Sequence, residues 1–372
     1  MCWRSIAFSH SFSYFALAPR DLFAPKQERQ EMKRASLILV FLISWVILFY
    51  VVKSQKHENI RYHNGNVLTA TFSITAFDPE LGDLGVAVQS KFPNVRAVVP
   101  WAEAEVGAVA TQALANASYG PKGLALMRNG ATAEEALKIL IENDSLRDER
   151  QAGIVDAKGN AATWTGRNTF DWAGGNAGGN WAGRGEIVKG RFFTAQGNIL
   201  VGKQTIESMA RTFQETKASL ADRLVAALVA GGKAGGDRRG EQSAALLVVR
   251  KGAGYQGELD NFIDISIYDH PHPLQELERL YQMHKLYFFK TDRKNLVKID
   301  ENLCRELQQI MKDRGFYKGD VNGVLDEGTR KNLQDFMYWE NYDERVRNDD
   351  QIDKEVLQDI RKNYEEWKKM KK

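Results

Sequence analysis

A chain of 372 residues is long enough for two domains and a short extra module. Its 43% hydrophobic and 27% charged content is that of an ordinary globular protein, and a net charge of +3 is too small to argue for a nucleic-acid partner. Two cysteines, Cys2 and Cys304, cannot build a disulfide framework or a zinc knuckle; the six histidines, His270-Pro-His272 included, show no metal-ligand spacing, so neither metal nor cofactor is expected.

In chain order, Met32-Lys-Arg reads as a second possible start, which makes residues 1–31 a non-native or cytoplasmic extension. Ala35 to Val52 then runs eighteen residues without a charge. At 1.5 Å per residue that is about 27 Å, close to the hydrocarbon thickness of a bilayer. Lys33 and Arg34 before it favour a cytoplasmic N-terminus. No small-residue cleavage site follows at Lys53-Ser-Gln-Lys, and the next, Leu68-Thr-Ala70, is far downstream. Residues 32–53 are therefore expected to be an uncleaved membrane anchor, with a cleaved signal and secretion as the alternative. Residues 54–70 are polar and aperiodic, a linker, and the bulk of the chain is expected in the cell envelope, outside the cytoplasm.

Strand patterning begins at Thr71–Phe77 and resumes at Leu84–Phe92, joined by a connector with the Pro and Gly punctuation of a hairpin. Arg96–Val99 and Val106–Thr111 read as further strands. The period then becomes helical from Tyr119, with Pro121 in the first turn, and again after Thr132-Ala-Glu-Glu135, a capping box that puts Ala136, Leu137, Leu140 and Ile141 on one face. Ala152–Val155 and Ala161–Thr165 form a second hairpin pattern. Residues 170–190, rich in Gly, Asn and Trp, carry no assignable element. Helices over 205–215 and 220–230 and strands over 243–249 and 262–268 complete this part. Strands, two helices, strands, two helices, strands: the order suits two sheets covered by helices on both outer faces. After Pro273 proline disappears and charges of both signs interleave. Helical spacing at 303–314, 329–339 and 353–367 around a turn-rich loop, 315–323, predicts a small helical domain over 285–372, after a first domain over 71–284.

Thr71 follows the small residue Ala70, at the head of a strand. A threonine at a free N-terminus is a complete catalytic unit, because its α-amine takes the proton that its hydroxyl loses on attacking a carbonyl. Ser73 points to the same strand face. The alternative is that threonine is simply a good strand former. Lys91 is placed to lower the amine pKa or steady the hydroxyl, or is a solvated strand residue. Thr111 and Gln112 end a strand and are candidates for the same cleft, Gln112 as an oxyanion donor. Asp237, Arg238 and Arg239 in a Gly-rich turn, with Ser243 beyond, suit a carboxylate-bearing substrate or pair among themselves. Arg150 and Asp156 read as structural. No Gly-x-Ser-x-Gly elbow, His-Glu-x-x-His helix or phosphate loop is present.

Thr71–Asp78, Gly85–Pro93, Gly107–Gln112, Arg150–Asp156, Gln196-Gly-Asn198, Gly235–Leu246 and Asp269-His-Pro together resemble the bacterial domain-of-unknown-function family numbered ten twenty-eight. That resemblance implies an α+β, four-layer αββα sandwich of the N-terminal-nucleophile (Ntn) hydrolase group. It also implies Thr71 as nucleophile; the substrate is left open between a small amide, an acyl-amino compound and a cell-wall peptide. In typical members the Thr-Phe-Ser-Ile motif follows an initiator Met or a signal peptide; here an anchor-like segment and a linker intervene. Leu307–Phe336, continued by Trp339–Arg347, resembles a peptidoglycan-binding helical domain, which implies peptidoglycan as partner and Tyr317, Trp339 and Tyr342 as candidate platforms, each otherwise a core residue. The expectation is an envelope amidohydrolase tethered to the wall; the alternative is a non-catalytic binding protein on the same fold.

Overall fold

The computed structural model describes residues 71–371, all within one unit of the chain, Val67–Lys372. Strands β1 (Thr71–Phe77) and β2 (Leu84–Ser90) form an antiparallel hairpin. Its turn is held by the Asp78 carboxylate, which accepts from the Glu80 N–H at 2.9 Å. After them come β3 (Pro100–Glu103), β4 (Gly107–Ala113), α1 (Tyr119–Arg128), α2 (Ala133–Glu142), β5 (Arg150–Asp156) and β6 (Asn160–Thr165). Next are β7 (Gly174–Ala177), β8 (Asn180–Ala182), β9 (Ile187–Arg191), β10 (Phe193–Asn198), α3 (Gln204–Glu215) and α4 (Leu220–Lys233). β11 (Ser243–Val249), β12 (Asn261–Ile267) and α5 (Pro273–Phe288) end the first domain. The capping box at Thr132 and Glu135 is formed as its sequence predicts.

The first domain holds two antiparallel sheets, one of seven strands in the order β12-β11-β2-β1-β10-β7-β8 and one of five in the order β3-β4-β5-β6-β9. Strand alternation sorts the side chains between layers. Phe72 and Ile74 leave one face of the larger sheet and pack on Ile206, Met209 and Phe213 of α3, Leu224 and Leu228 of α4 and Leu277 of α5. Val109, Ile154 and Trp164 leave the far face of the smaller sheet and pack on Leu124 of α1 and Leu137 and Leu140 of α2. Between the sheets lie Leu84, Val86, Val88 and Leu247 against Ala108, Ala110 and Val155. Each of these large apolar side chains contributes about 1.5–3 kcal/mol by leaving water. The result is an α+β domain in which helices cover both outer faces of a pair of facing sheets.

Three elements differ from the sequence pattern. Residues 96–99 are not a strand: Asn94 is left-handed at φ 50° and a 3-10 turn spans Val95–Ala97. Arg96 in that turn is anchored to both carboxylate oxygens of Asp264, at 2.6 and 2.8 Å, and the strand starts at Pro100, the position in a strand that tolerates proline. Residues 170–190 contain three short strands that pattern could not show, because β7 is Gly-Gly-Asn-Ala and lacks β-branched residues. Small residues are needed there; a Cβ on Gly175 would stand 3.0 Å from the Thr163 hydroxyl. Helix α5 was also not marked by the sequence.

The C-terminal part contains β13 (Leu296–Lys298), α6 (Glu301–Asp313), α7 (Glu327–Trp339), β14 (Gln351–Asp353) and α8 (Lys354–Met370). β13 and β14 form a small antiparallel ribbon. Leu303, Leu307, Phe336, Val356 and Ile360 make a separate core, to which α5 adds Leu286 and Tyr287. Helix α5 thus serves both cores, and residue 285 falls inside it.

The expectation of a transmembrane chain with a membrane partner and a membrane-anchored location is corrected here. Among the described residues no helix is long and apolar enough to cross a membrane. Residues 35–52, on which that expectation was based, lie outside the described residues, as do the extension and linker expected before Thr71.

Candidate functional site

At one end of the larger sheet four polar residues stand side by side in register: Ser243 of β11, Ser90 of β2, Thr71 of β1 and Asn198 of β10. All four share the face that looks toward the smaller sheet. The Thr71 Oγ1 lies 3.0 Å from Ser90 Oγ, and both side chains are fully buried. Ser90 is a residue that sequence reasoning missed; its signal was its register opposite Thr71 in a hairpin whose loop length fixes the pairing.

Behind this row the two sheets are joined by carboxamides rather than by hydrocarbon. Ser73 Oγ donates to Gln112 Oε1 at 2.7 Å and accepts from Gln196 Nε2 at 2.7 Å. Gln112 Nε2 donates to Gln151 Oε1 at 2.9 Å, with the Thr71 and Gln196 carbonyl oxygens at 3.2 and 3.3 Å. Gln151 Nε2 reaches Thr165 Oγ1 and the Gly197 carbonyl, both at 2.9 Å, and Asn198 Nδ2 donates to Gln151 Oε1 at 3.1 Å. A shared, satisfied network of this kind fixes geometry, because any displaced member strands a buried polar partner. The sheets must approach closely for it to form. A Cβ on Gly153 of β5 would sit 2.2 Å from both Gln196 Oε1 and Thr194 Oγ1, so only glycine fits there.

Among the described residues, the side chains joined by these bonds are all neutral. Ser73, Ser90, Gln112, Gln151, Gln196 and Asn198 cannot accept a proton from a threonine hydroxyl near neutral pH. Gln112 has its amide hydrogens engaged, two for three acceptors, and therefore holds the Thr71 backbone in place. Thr111 faces the opposite way; its hydroxyl donates to the Asn116 carbonyl at 3.2 Å under the α1 layer.

The rim of the same sheet end is charged. The loop after α4 returns along β10: Leu200 bridges Asp237, and the Arg238 N–H donates to the Ile199 carbonyl at 2.9 Å. Asp237 is buried and fully engaged, accepting from Lys91 N at 2.9 Å, from Arg239 N at 2.9 Å and from the Arg239 guanidinium at 3.1 Å. Lys91 points out and donates from Nζ to the Glu241 carbonyl at 3.1 Å. Arg238 is exposed, with Nη2 donating to the Leu200 carbonyl at 3.2 Å. Ser243 Oγ donates to the Phe92 carbonyl and accepts from Val95 N, tying down the chain after β2. The fold thus brings Thr71, Gln112, Lys91, Asp237, Arg238, Arg239 and Ser243 to one sheet end and leaves Thr111 out.

A second polar cluster lies on the outer helical face, at an open cavity of about 370 Å³ between α1 and α2. Asp144 accepts from Arg150 Nε at 3.0 Å, Asn116 Nδ2 at 3.1 Å and Tyr119 OH at 3.0 Å. Burial alone would raise its carboxyl pKa, but the Arg150, Asn116 and Leu146 N–H bonds outweigh that and hold it at about 2. Burial and the same carboxylate push the Tyr119 phenol up. Asp144, Arg150, Asn116 and Tyr119 are spent on one another, so the cluster serves as a clasp between β5 and α1. Arg150 and Asp156 keep their structural roles: Asp156 accepts from the N–H groups of Lys158 and Asn160, both at 2.9 Å, and closes the β5–β6 turn.

In the C-terminal domain the three aromatic candidates separate. Tyr342 is fully buried, donates to Asp359 at 2.7 Å and stacks on Tyr287 at 5.7 Å. Tyr317 is buried and donates to the Asp320 carbonyl at 3.0 Å. Trp339 is 70% exposed and rests on Phe316 with ring centroids 5.8 Å apart. Of the three, only Trp339 offers a face to a ligand. Among the described residues no group of three or more His, Cys, Asp or Glu side chains could hold a metal ion.

Two family models match along the chain. Residues 71–277 match the model of the Family of unknown function (DUF1028). Residues 287–359 match the model described as "Putative peptidoglycan binding domain". The crystal structure of a DUF1028 protein from Silicibacter pomeroyi aligns at 31% identity with a TM-score of 0.50, covering 58% of this chain and 86% of that one. No curated protein matches the chain. The two domains in one chain support association with the cell envelope.

Proposed function

The chain belongs to the DUF1028 family, and on that premise we propose that its first domain is an Ntn-type amidohydrolase with Thr71 as nucleophile, held at the wall by the second domain. The observation that carries this reading is the company Thr71 keeps: a buried strand-head hydroxyl bonded to Ser90 among wholly neutral side chains. A hydroxyl nucleophile needs a base. With none bonded to it among the described residues, the base in this reading is the α-amine of Thr71 itself, which exists only once the Ala70–Thr71 peptide bond is cut. Facing sheets with helices outside agree with the four-layer Ntn sandwich.

The reaction then runs as acyl transfer. Thr71 Oγ1 bonds to the substrate carbonyl carbon as its proton passes to the α-amine. The C–N bond of the tetrahedral intermediate breaks and the leaving amine takes that proton. Water, deprotonated by the same amine, hydrolyses the Thr71 ester. Ser90 orients the attacking oxygen, and the Gln112 bond to the Thr71 carbonyl fixes the strand end. Peptidoglycan contact is assigned to Trp339, whose exposed ring suits the apolar face of a sugar.

Intact-mass and N-terminal sequencing of the mature protein test the mechanism: a chain beginning at Thr71 is expected, and one that retains Ala70 sinks it. A second reading, a non-catalytic binding domain, draws on the full burial of Thr71. An electrophile that labels Thr71 in the processed protein, and fails on Thr71→Ala, excludes it.

A further inference from the structure

We propose that Arg238 and Lys91 form an anion site on the rim beside Thr71, so that the substrate class is an amide carrying a free carboxylate, such as an N-acyl amino acid or a short peptide. The inference rests on Thr71 as the reacting residue and deepens that reading.

The argument is one of charge accounting at a single loop. Asp237 spends its charge on Arg239, at 3.1 Å, and on two backbone N–H groups. Arg239 is therefore committed, and the forked pair of arginines in the sequence resolves into one structural and one outward-facing residue. Among the described residues the Arg238 guanidinium and the Lys91 ammonium donate to carbonyl oxygens, those of Leu200 and Glu241, and neither lies in a salt bridge. Glu241 in the same loop returns one negative charge, so these two exposed cations still leave the rim net positive.

Its location is set by the backbone. Ile199, whose carbonyl accepts from Arg238 N, follows Asn198, the strand partner of Thr71; Lys91 follows Ser90, the strand partner on the other side. The two cations thus flank β1 from both neighbours. Chain geometry keeps the Arg238 Cα within about 15 Å of Thr71, and its guanidinium rests at the Leu200 carbonyl, two residues past the strand partner of Thr71. A guanidinium fork receives a carboxylate in two parallel hydrogen bonds, and a nearby ammonium adds charge without geometry. Neutral amides would gain nothing there.

The test is a titration of the full-length protein with N-acetyl-L-alanine and with its methyl ester, followed by NMR chemical shifts, because binding at an exposed rim does not require catalysis. Saturable binding of the carboxylate, weakened by salt, is expected; the ester should bind about tenfold more weakly or worse. Arg238→Gln should lose about tenfold in affinity for the carboxylate and Lys91→Gln less, both with unchanged melting temperature. Equal binding of acid and ester, no binding of the acid, or unchanged affinity in the Arg238→Gln/Lys91→Gln double variant would overturn the proposal. Failure of Thr71 labelling in the processed protein would instead count against the catalytic reading and leave these binding results standing on their own.

Discussion

The Arg345 guanidinium donates from Nη2 to the backbone carbonyl of Lys285 at 2.7 Å, so the C-terminal domain grips a helix whose other turns belong to the core of the first domain. The Lys285 ammonium reaches back to Asp222 at the start of α4, at 3.1 Å. One residue is thereby bonded to both domains, at its main chain and at its side chain.

Breaking that grip should be costly. Arg345 is buried and paired with the fully buried Asp353. Arg345→Met leaves that carboxylate uncompensated and should destabilise the C-terminal domain by about 3–5 kcal/mol. Calorimetry should then resolve a separate, earlier transition for this domain. Lys285→Met removes only a half-exposed pair and should cost at most about 1 kcal/mol. A single unshifted transition for Arg345→Met would show that the contact contributes nothing. The same contacts predict that a fragment starting at residue 273, with all of α5, folds more stably than one starting at 285.

Asp144 should leave a signature in acid. Its folded pKa, about 2, lies below the ordinary carboxyl value. The stabilisation is therefore complete above about pH 5, where the unfolded carboxyl is also ionised, and is lost as pH falls toward 2. Urea titrations of wild type should show this loss, while Asp144→Asn should show less pH dependence and lower stability at pH 7. Parallel stability curves for the two proteins between pH 2 and 5 would contradict the assignment.

Two buried glutamines should respond in opposite directions. Gln196 donates to Ser73, and its loss in Gln196→Leu leaves the Ser73 hydroxyl with its bond to Gln112 alone and one buried acceptor site empty, at about 1–3 kcal/mol. Gln89 faces the helical layer, fully buried, and among the described residues its amide oxygen and nitrogen find no hydrogen-bond partner. Gln89→Met keeps the shape and removes that penalty, so it should raise stability by about 1–2 kcal/mol. Denaturant midpoints in which Gln89→Met is the less stable protein would refute this.

On the C-terminal domain, Trp339→Ala should weaken co-sedimentation with insoluble peptidoglycan while leaving the melting temperature within about 2 °C, since the ring is exposed. Tyr342→Ala removes a buried, stacked and hydrogen-bonded ring and should destabilise by about 3–5 kcal/mol. Undiminished wall binding by folded Trp339→Ala would move the contact elsewhere.

Local pattern in the sequence was enough to determine the β1–β2 hairpin, the capped helix α2, the amphipathic helices α3, α4, α6, α7 and α8, and a strand that begins on Thr71. Each of these is decided by neighbours a few residues apart, through strand alternation, 3.6-residue periodicity and side-chain caps. Tertiary structure decided the rest. The short glycine-rich strand β7 is a strand by its pairing with β10, and the facing sheet leaves little room for larger residues at Gly175 of β7 and at Gly153 of β5. Which arginine of the adjacent pair faces outward depended on Asp237, buried beneath the loop, choosing Arg239. Ser90 entered the site, and Thr111 left it, because the sheet register fixes which face each side chain takes. Sequence order supplied the groups; packing two sheets face to face determined which of them meet.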